Sequence, residues 1–67
     1  MYGWIEVTNL KTGRHVLINT DRIISIAPLL QSGKANGFVQ CTDGYSVVTE
    51  ENYSYLMDLI KDSYTDD

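Results

Sequence analysis

The sequence predicts an α+β domain, in which a five-stranded, mainly antiparallel meander curls like a small barrel and a C-terminal helix packs on it. Before residue 50, apolar and polar residues alternate with a period of two, and turn-forming residues separate the alternating segments. From residue 53 onward, apolar residues recur with helical spacing. We therefore expect one domain over residues 1–62, followed by a frayed acidic tail at 63–67.

The first two strands form a predicted hairpin. In the segment WIEVTNL, Ile5 and Val7 share one face, and in RHVLIN the residues Val16 and Ile18 do so. Gly13 lies between the two segments and is free to adopt a positive φ, which a tight turn favours. Each strand is therefore expected to bury one face.

A third strand is predicted from the β-branched residues of RIISIAP. Just before it, the side chain of Asp21 can accept hydrogen bonds from downstream backbone N–H groups and close an Asx-type turn. Pro28 either ends the hydrogen-bonded ladder or places the strand at a sheet edge, because proline donates no backbone hydrogen bond.

The next segment, LLQSGKANG, shows no periodicity, and its serine, asparagine and glycines predict a mobile loop. After it, the alternating runs FVQCT and YSVVT flank the pair Asp43-Gly44. This pair predicts a hairpin with a type I′ turn, in which both central residues have a positive φ.

A C-terminal helix is expected to follow directly. Thr49 is placed to cap it, and Glu50 and Glu51 are expected in its first turn, where carboxylates interact favourably with the helix dipole. One apolar stripe is expected to face the sheet, and it consists of Tyr53, Leu56, Met57, Ile60 and Tyr64.

A second apolar pair widens this stripe. Tyr55 and Leu59 are four residues apart on the helix and lie beside the main stripe. They fit either a helix set deep in a groove or a surface for a partner. Aromatic residues are common at binding hot spots. The candidate interface comprises Tyr55, Leu59, Leu29, Leu30 and Trp4.

Composition limits the classes of function. The chain has 67 residues and a formal net charge of −4. Residues 50–67 contain six acidic residues and one basic residue, whereas residues 1–49 contain four basic and three acidic ones. The dispersed basic residues form no stripe for phosphates, so no nucleic-acid partner is expected. A domain this small has a marginal core, and we expect it to form homo-oligomers.

Features of membrane association, export and catalysis are absent from the sequence. No signal peptide or membrane-spanning segment is visible, and one reduced cysteine fits a cytoplasmic location. His15 and Cys41 lie within predicted strands and do not predict a catalytic pair. Asp58 and Asp62 predict a solvated helix face. No catalytic residue, cofactor or metal is expected, and the protein is predicted not to be an enzyme.

The order of residues resembles a known family. The pattern I-x-V-T-x-L, a glycine, L-I-N-x-D-x-I-x-x-I and T-D-G-x-x-x-V-x-E is similar to that of the small FlbD-type flagellar and swarming-motility proteins and of short bacterial and phage proteins with the same layout. The matching positions are Ile5, Val7, Thr8, Leu10, Gly13, Asn19, Asp21, Ile23, Ile26, Thr42, Asp43, Gly44, Val48 and Glu50. The resemblance implies a sheet-plus-helix fold and no enzyme activity.

The sequence is compatible with three functions. The first is a small, non-enzymatic protein-interaction module in the cytoplasm that self-associates. The second is a small acidic inhibitor, of bacterial or phage origin, that docks on a basic surface of a partner protein. The third is an oligomer that sequesters a nucleotide-like ligand, although the acidic C-terminal segment would repel phosphates.

Overall fold

The computed structural model describes residues 3–63, which form five strands and one α-helix. The elements are β1 (Trp4–Thr8), β2 (His15–Asn19), β3 (Ile23–Gln31), β4 (Lys34–Cys41), β5 (Ser46–Asn52) and α1 (Tyr53–Ser63). All strand pairs are antiparallel, which confirms the α+β class and the C-terminal helix. The strands divide between two sheets, β1-β2 and β3-β4-β5, instead of one meander, and no barrel closes within this part of the chain.

The two sheets meet where the β1-β2 hairpin lies against β5. The backbone N–H of Leu10 donates to the carbonyl oxygen of Val48 at 2.8 Å. The carboxylate of Glu51 accepts hydrogen bonds from both the backbone N–H and the hydroxyl of Thr8, each at 2.8 Å. These contacts join the smaller sheet to the larger one, although the residues that make them are far apart in the sequence.

The core lies between the sheets and the helix. The alternation predicted for the first hairpin is confirmed, since Ile5, Val7 and Ile18 are buried and Leu17 is exposed. Gly13 has a φ of 76°, as its place in the turn requires. The buried apolar cluster consists of Ile5, Val7, Ile18, Val39, Cys41, Val47 and Leu56.

The mobile loop predicted over residues 29–37 is wrong. β3 continues to Gln31 and β4 begins at Lys34, so only Ser32 and Gly33 form the turn. Their φ angles are 51° and 79°, which are the positive values of a type I′ turn. Pairing with β4 orders the segment, and Pro28 lies within a strand at the edge of the sheet.

The hairpin predicted at Asp43-Gly44 is confirmed, but its turn is of another type. Gly44 has a φ of 86°, whereas Asp43 does not have a positive φ. The carbonyl oxygen of Cys41 accepts from the N–H of Gly44 at 3.2 Å, and the N–H of Cys41 donates to Tyr45 at 2.8 Å. This is a three-residue loop, in which a turn is followed by a left-handed glycine.

The helix begins later than predicted. β5 runs to Asn52 and α1 starts at Tyr53, so Thr49 is not the cap and Glu50 lies in a strand. The cap is Asn52, whose Oδ1 accepts from the N–H of Ser54 at 2.8 Å. The strand continues past Thr49 because the residues that follow it contact the other sheet. Local preferences for helix caps do not reflect such long-range contacts.

Close packing of α1 on β4 depends on Gly37. A Cβ atom at this position would overlap Cδ1 of Leu56, so a side chain here would push the helix away. The pairing of β4 with β5 shifts register at this point. The N–H of Gly37 instead donates to the hydroxyl of the fully buried Thr49 at 3.3 Å, and that hydroxyl donates to Glu51 O at 3.0 Å.

The Asx turn before β3 is built by a different residue from the one predicted. Asn19, not Asp21, supplies the side chain, and its Oδ1 accepts from the N–H of Asp21 at 2.9 Å. This contact caps the short 3-10 turn Thr20–Arg22. The helix α1 ends at the buried Ser63, while Tyr64 and the rest of the predicted tail lie outside the described residues.

Candidate functional site

Two grooves flank the helix α1. The β3–α1 groove has a volume of about 240 Å³ and is lined mainly by Ile23, Ile24, Ile26, Tyr53, Met57 and Ile60. The β1–α1 groove has a volume of about 380 Å³ and is lined mainly by Trp4, Ile5, Glu6, Tyr55, Leu59 and Asp62. At 100° per residue, the two helical sets project on either side of the buried Leu56.

The β3–α1 groove is uncharged and lies beside an unusually apolar edge strand. None of the residues that line it carries a charge, and neither does any of the nine residues of β3. Ile24 is 67% exposed and lies at a bulge between Ile23 and Ser25. Leu30, near the other end of the strand, is 77% exposed.

The outer edge of β3 presents free backbone groups. β3 pairs with β4 on one side and with no other strand within residues 3–63. Gln31 and Lys34 flank a two-residue turn, and such a pair exchanges both of its backbone hydrogen bonds. Because bonded and non-bonded pairs alternate, the backbone groups of Ile26, Pro28 and Leu30 point away from β4. The absence of an N–H group at Pro28 therefore removes no hydrogen bond from the β3-β4 ladder.

Alternation along β3 also determines which side chains face the helix. Ile26 pairs with the fully buried Val39, and Pro28 pairs with Gly37, on which the helix rests. Ile26, Pro28 and Leu30 therefore lie on the helix side of the sheet. Leu29, which is half-buried, lies on the opposite face, so the two predicted interface leucines are separated by the sheet.

The β1–α1 groove contains the other three predicted interface residues. Trp4 is 42% exposed and Tyr55 is 54% exposed, while Leu59 is half-buried and packs against the core. Both carboxylates of the groove belong to exposed residues, Glu6 on β1 and Asp62 on α1. The structure thus brings Trp4, Tyr55 and Leu59 together and places Leu29 and Leu30 outside both grooves.

Sequence reasoning missed the β3–α1 groove. It placed Ile24 and Ile26 in a strand and Tyr53, Met57 and Ile60 on the buried stripe of a helix, but did not predict that they line one open surface. The available signal was the run of nine residues without a charge, Ile23–Gln31, on a strand that Pro28 marks as an edge.

A third depression, of about 360 Å³, lies near the start of β1 and the Asp43 hairpin. Cys41 is among the residues that line it. Burial raises the pKa of the Cys41 thiol, with the Asp43 carboxylate adding to the effect and Arg22 opposing it. A protonated, buried thiol is a poor nucleophile at neutral pH. His15 is exposed at the start of β2, where its Nδ1 lies 4.0 Å from Oε2 of Glu6, so histidine and cysteine do not form a pair.

No group of three or more histidine, cysteine, aspartate or glutamate residues among residues 3–63 could hold a metal ion. No helix in this range is long and apolar enough to cross a membrane.

Comparison with known proteins adds no relative: no family model, no curated protein and no solved structure matches the chain. The resemblance to the FlbD-type proteins therefore rests on the sequence positions given above.

Proposed function

We propose that the protein is a non-enzymatic interaction module that self-associates by pairing the free edge of β3 with the same edge of a second copy. The observation that carries this proposal is an edge strand of nine residues without a single charge, whose outer side pairs with no other strand within residues 3–63. At about 3.3 Å per residue, such a strand offers a pairing surface about 30 Å long.

Edge strands of monomeric proteins are normally protected from such pairing. Inward-pointing charges, lysines, short strands and prolines are the usual devices. β3 carries Pro28 and, near its start, the bulge between Ile23 and Ser25, which is another such device. The proline removes one donor and leaves the outward N–H groups of Ile26 and Leu30 free. This edge is therefore suited to bind another strand.

Pairing of two β3 strands about a two-fold axis brings their apolar surfaces together. In antiparallel pairing, residues whose backbone groups point out from one β3 edge lie opposite the residues whose backbone groups point out from the other. The side chains of Ile26 and Leu30 from both copies therefore lie on one face of the combined sheet. That face carries the helix, and both helices therefore lie on the same side of a six-stranded sheet. Ile24, Met57 and the other residues of the β3–α1 groove then line the junction.

A second copy suits this surface better than a charged partner does. The chain carries a net charge of −4, which opposes association through most of its surface, but the β3 edge is neutral. A domain of this size has a small core, and an added interface supplies the burial that a larger domain has internally.

Sedimentation or light scattering of matched variants tests the proposal. The wild-type chain is expected to exceed the monomer mass of 7.6 kDa at micromolar concentration. Leu30→Lys adds a charge to the edge and is expected to give a monomer. Leu17→Lys is the control, because Leu17 is also exposed, at 52%, but lies on β2.

Two results would contradict self-association through β3. One is a wild-type chain that keeps the monomer mass at high concentration. The other is an equal loss of mass in both lysine variants, which would show that any added charge disperses the oligomer. Two expectations from the sequence stay predictions: the cytoplasmic location and the ligand-sequestering oligomer. No specific feature of either groove favours them.

A further inference from the structure

We propose that the β1–α1 groove binds a segment of a different protein in which an apolar side chain lies next to arginine. The groove is on the opposite side of α1 from the proposed self-association surface, so this inference does not depend on self-association. It rests on the chemistry of two exposed aromatic rings, one aliphatic side chain and two carboxylates.

The apolar part of the groove can receive an apolar side chain. Leu59 forms its base against the core, and the exposed rings of Trp4 and Tyr55 flank it. Tryptophan and tyrosine contribute disproportionately to binding because each buries a large area with few rotatable bonds. An aliphatic side chain of a partner that enters the groove would contact these three residues.

The charges of the groove select a cationic neighbour for that side chain. Glu6 on β1 and Asp62 on α1 both line the groove, and no basic residue within the described range 3–63 does. Among the residues that the structure describes, Glu6 has one weak contact, at 4.0 Å from the ring of His15. Asp62 has no hydrogen-bond or ion-pair partner within residues 3–63. Two carboxylates on facing elements thus remain available to a donor from outside.

Arginine fits this combination better than lysine. Its planar guanidinium stacks on the face of tryptophan and also donates two parallel hydrogen bonds to a carboxylate. Lysine supplies a point charge without the stacking plane. With Trp4 beside Glu6 and Asp62, one guanidinium can satisfy both interactions.

The same charges argue against two other occupants. A second copy would bring its own Glu6 and Asp62 to the groove, and like charges oppose that contact. The C-terminal end of this chain carries Asp66 and Asp67, so its charge has the wrong sign for the same reason.

The chain offers a single reporter for this site, because Trp4 is its only tryptophan. The indole N–H resonance of Trp4 can be followed while the full chain is titrated with the peptide acetyl-Arg-Leu-Arg-amide. The matched probe is acetyl-Cit-Leu-Cit-amide, in which neutral citrulline replaces arginine without changing its shape. We expect saturable shifts of the indole with the arginine peptide and about fivefold weaker binding of the citrulline peptide.

Variants test whether the two carboxylates cause the difference. Glu6→Gln with Asp62→Asn is expected to reduce arginine-peptide binding to the level of the citrulline peptide. Asp21→Asn with Glu50→Gln removes the same total charge at exposed sites outside the groove and is expected to keep the preference. Leu30→Lys, which is expected to disrupt self-association, is expected to leave peptide binding unchanged.

Three results would overturn the inference. Equal binding of the two peptides would show that the groove does not select a cation. The absence of any indole response would show that it does not bind such a segment. A response that appears only after deletion of residues 64–67 would show that the end of the chain itself occupies the groove.

Discussion

The two sides of α1 differ in charge and backbone, although both are apolar. On the β3 side, an uncharged groove adjoins a strand edge with free N–H and carbonyl groups. On the β1 side, aromatic rings are accompanied by two carboxylates, and the N–H of Thr8 on the neighbouring strand is already bonded to the carboxylate of Glu51. Exposed apolar residues alone indicate a binding surface and do not indicate the kind of partner. The free backbone favours another strand, whereas the carboxylates favour a cationic partner.

The largest effect is expected from a substitution that disrupts both grooves at once. Gly37→Ala places a methyl group where Leu56 packs, and the displaced helix would disrupt both grooves. We expect the free energy of unfolding, measured in urea, to fall by about 3 kcal/mol. Leu56→Ala alone leaves a cavity and is also destabilising, but the double variant is expected to lose less than the sum of the two single losses, because the two side chains no longer overlap. Strictly additive losses would show that Gly37 and Leu56 are not coupled.

A second test removes hydrogen bonds beneath the helix. Thr49→Val keeps the shape of the fully buried side chain but leaves the N–H of Gly37 without its acceptor. The expected loss in unfolding free energy is about 2 kcal/mol. Thr49→Ser keeps the hydroxyl and is expected to lose less. If serine were as damaging as valine, methyl packing would be the main role of Thr49.

Hydrogen exchange can test the free edge without any substitution. The amides of Ala27 and Leu29 bond to β4 and are expected to exchange slowly at every protein concentration. The amides of Ile26 and Leu30 point outward, so their exchange is expected to slow about tenfold when the protein is concentrated enough to self-associate. Concentration-independent exchange at Ile26 and Leu30 would place any dimer contact elsewhere.

Salt is expected to separate the two surfaces. Binding of the arginine peptide in the β1–α1 groove is expected to weaken about threefold between low and high ionic strength, because exposed ion pairs are screened. Pairing of the neutral β3 edges is expected to stay the same or strengthen, as repulsion between two chains of charge −4 is also screened. A parallel weakening of both would mean that charge governs self-association as well.

The smallest expected effect concerns the turn that holds the β3 edge. Ser32 is the one described residue other than glycine with a positive φ. Ser32→Gly is expected to stabilise the chain by about 0.5 kcal/mol, since relief of the left-handed conformation is partly offset by greater freedom of the unfolded chain. Ser32→Val is the opposing control and is expected to lower the melting temperature. Peptide binding in the β1–α1 groove is expected to be unchanged in both.

Features that depend on neighbouring residues could be predicted from the sequence. Alternation identified the buried faces of the first hairpin, and helical spacing identified Leu56 as a core residue. Gly13 and Gly44 both have the positive φ that their turns require. Of the five candidate interface residues, Trp4, Tyr55 and Leu59 line one groove and Leu29 and Leu30 do not, and an interface role for these residues stays a prediction.

Features that depend on distant residues were decided by the tertiary structure. Thr49 and Glu50 have the composition of a helix start, yet β5 includes them, and Glu51 binds Thr8 of the other sheet. The segment around Ser32 lacks a local strand pattern, yet pairing with β4 makes it a hairpin. Local preferences differ by only about 1 kcal/mol per residue, so hydrogen bonds and burial across the sheets override them and determine which side chains form each groove.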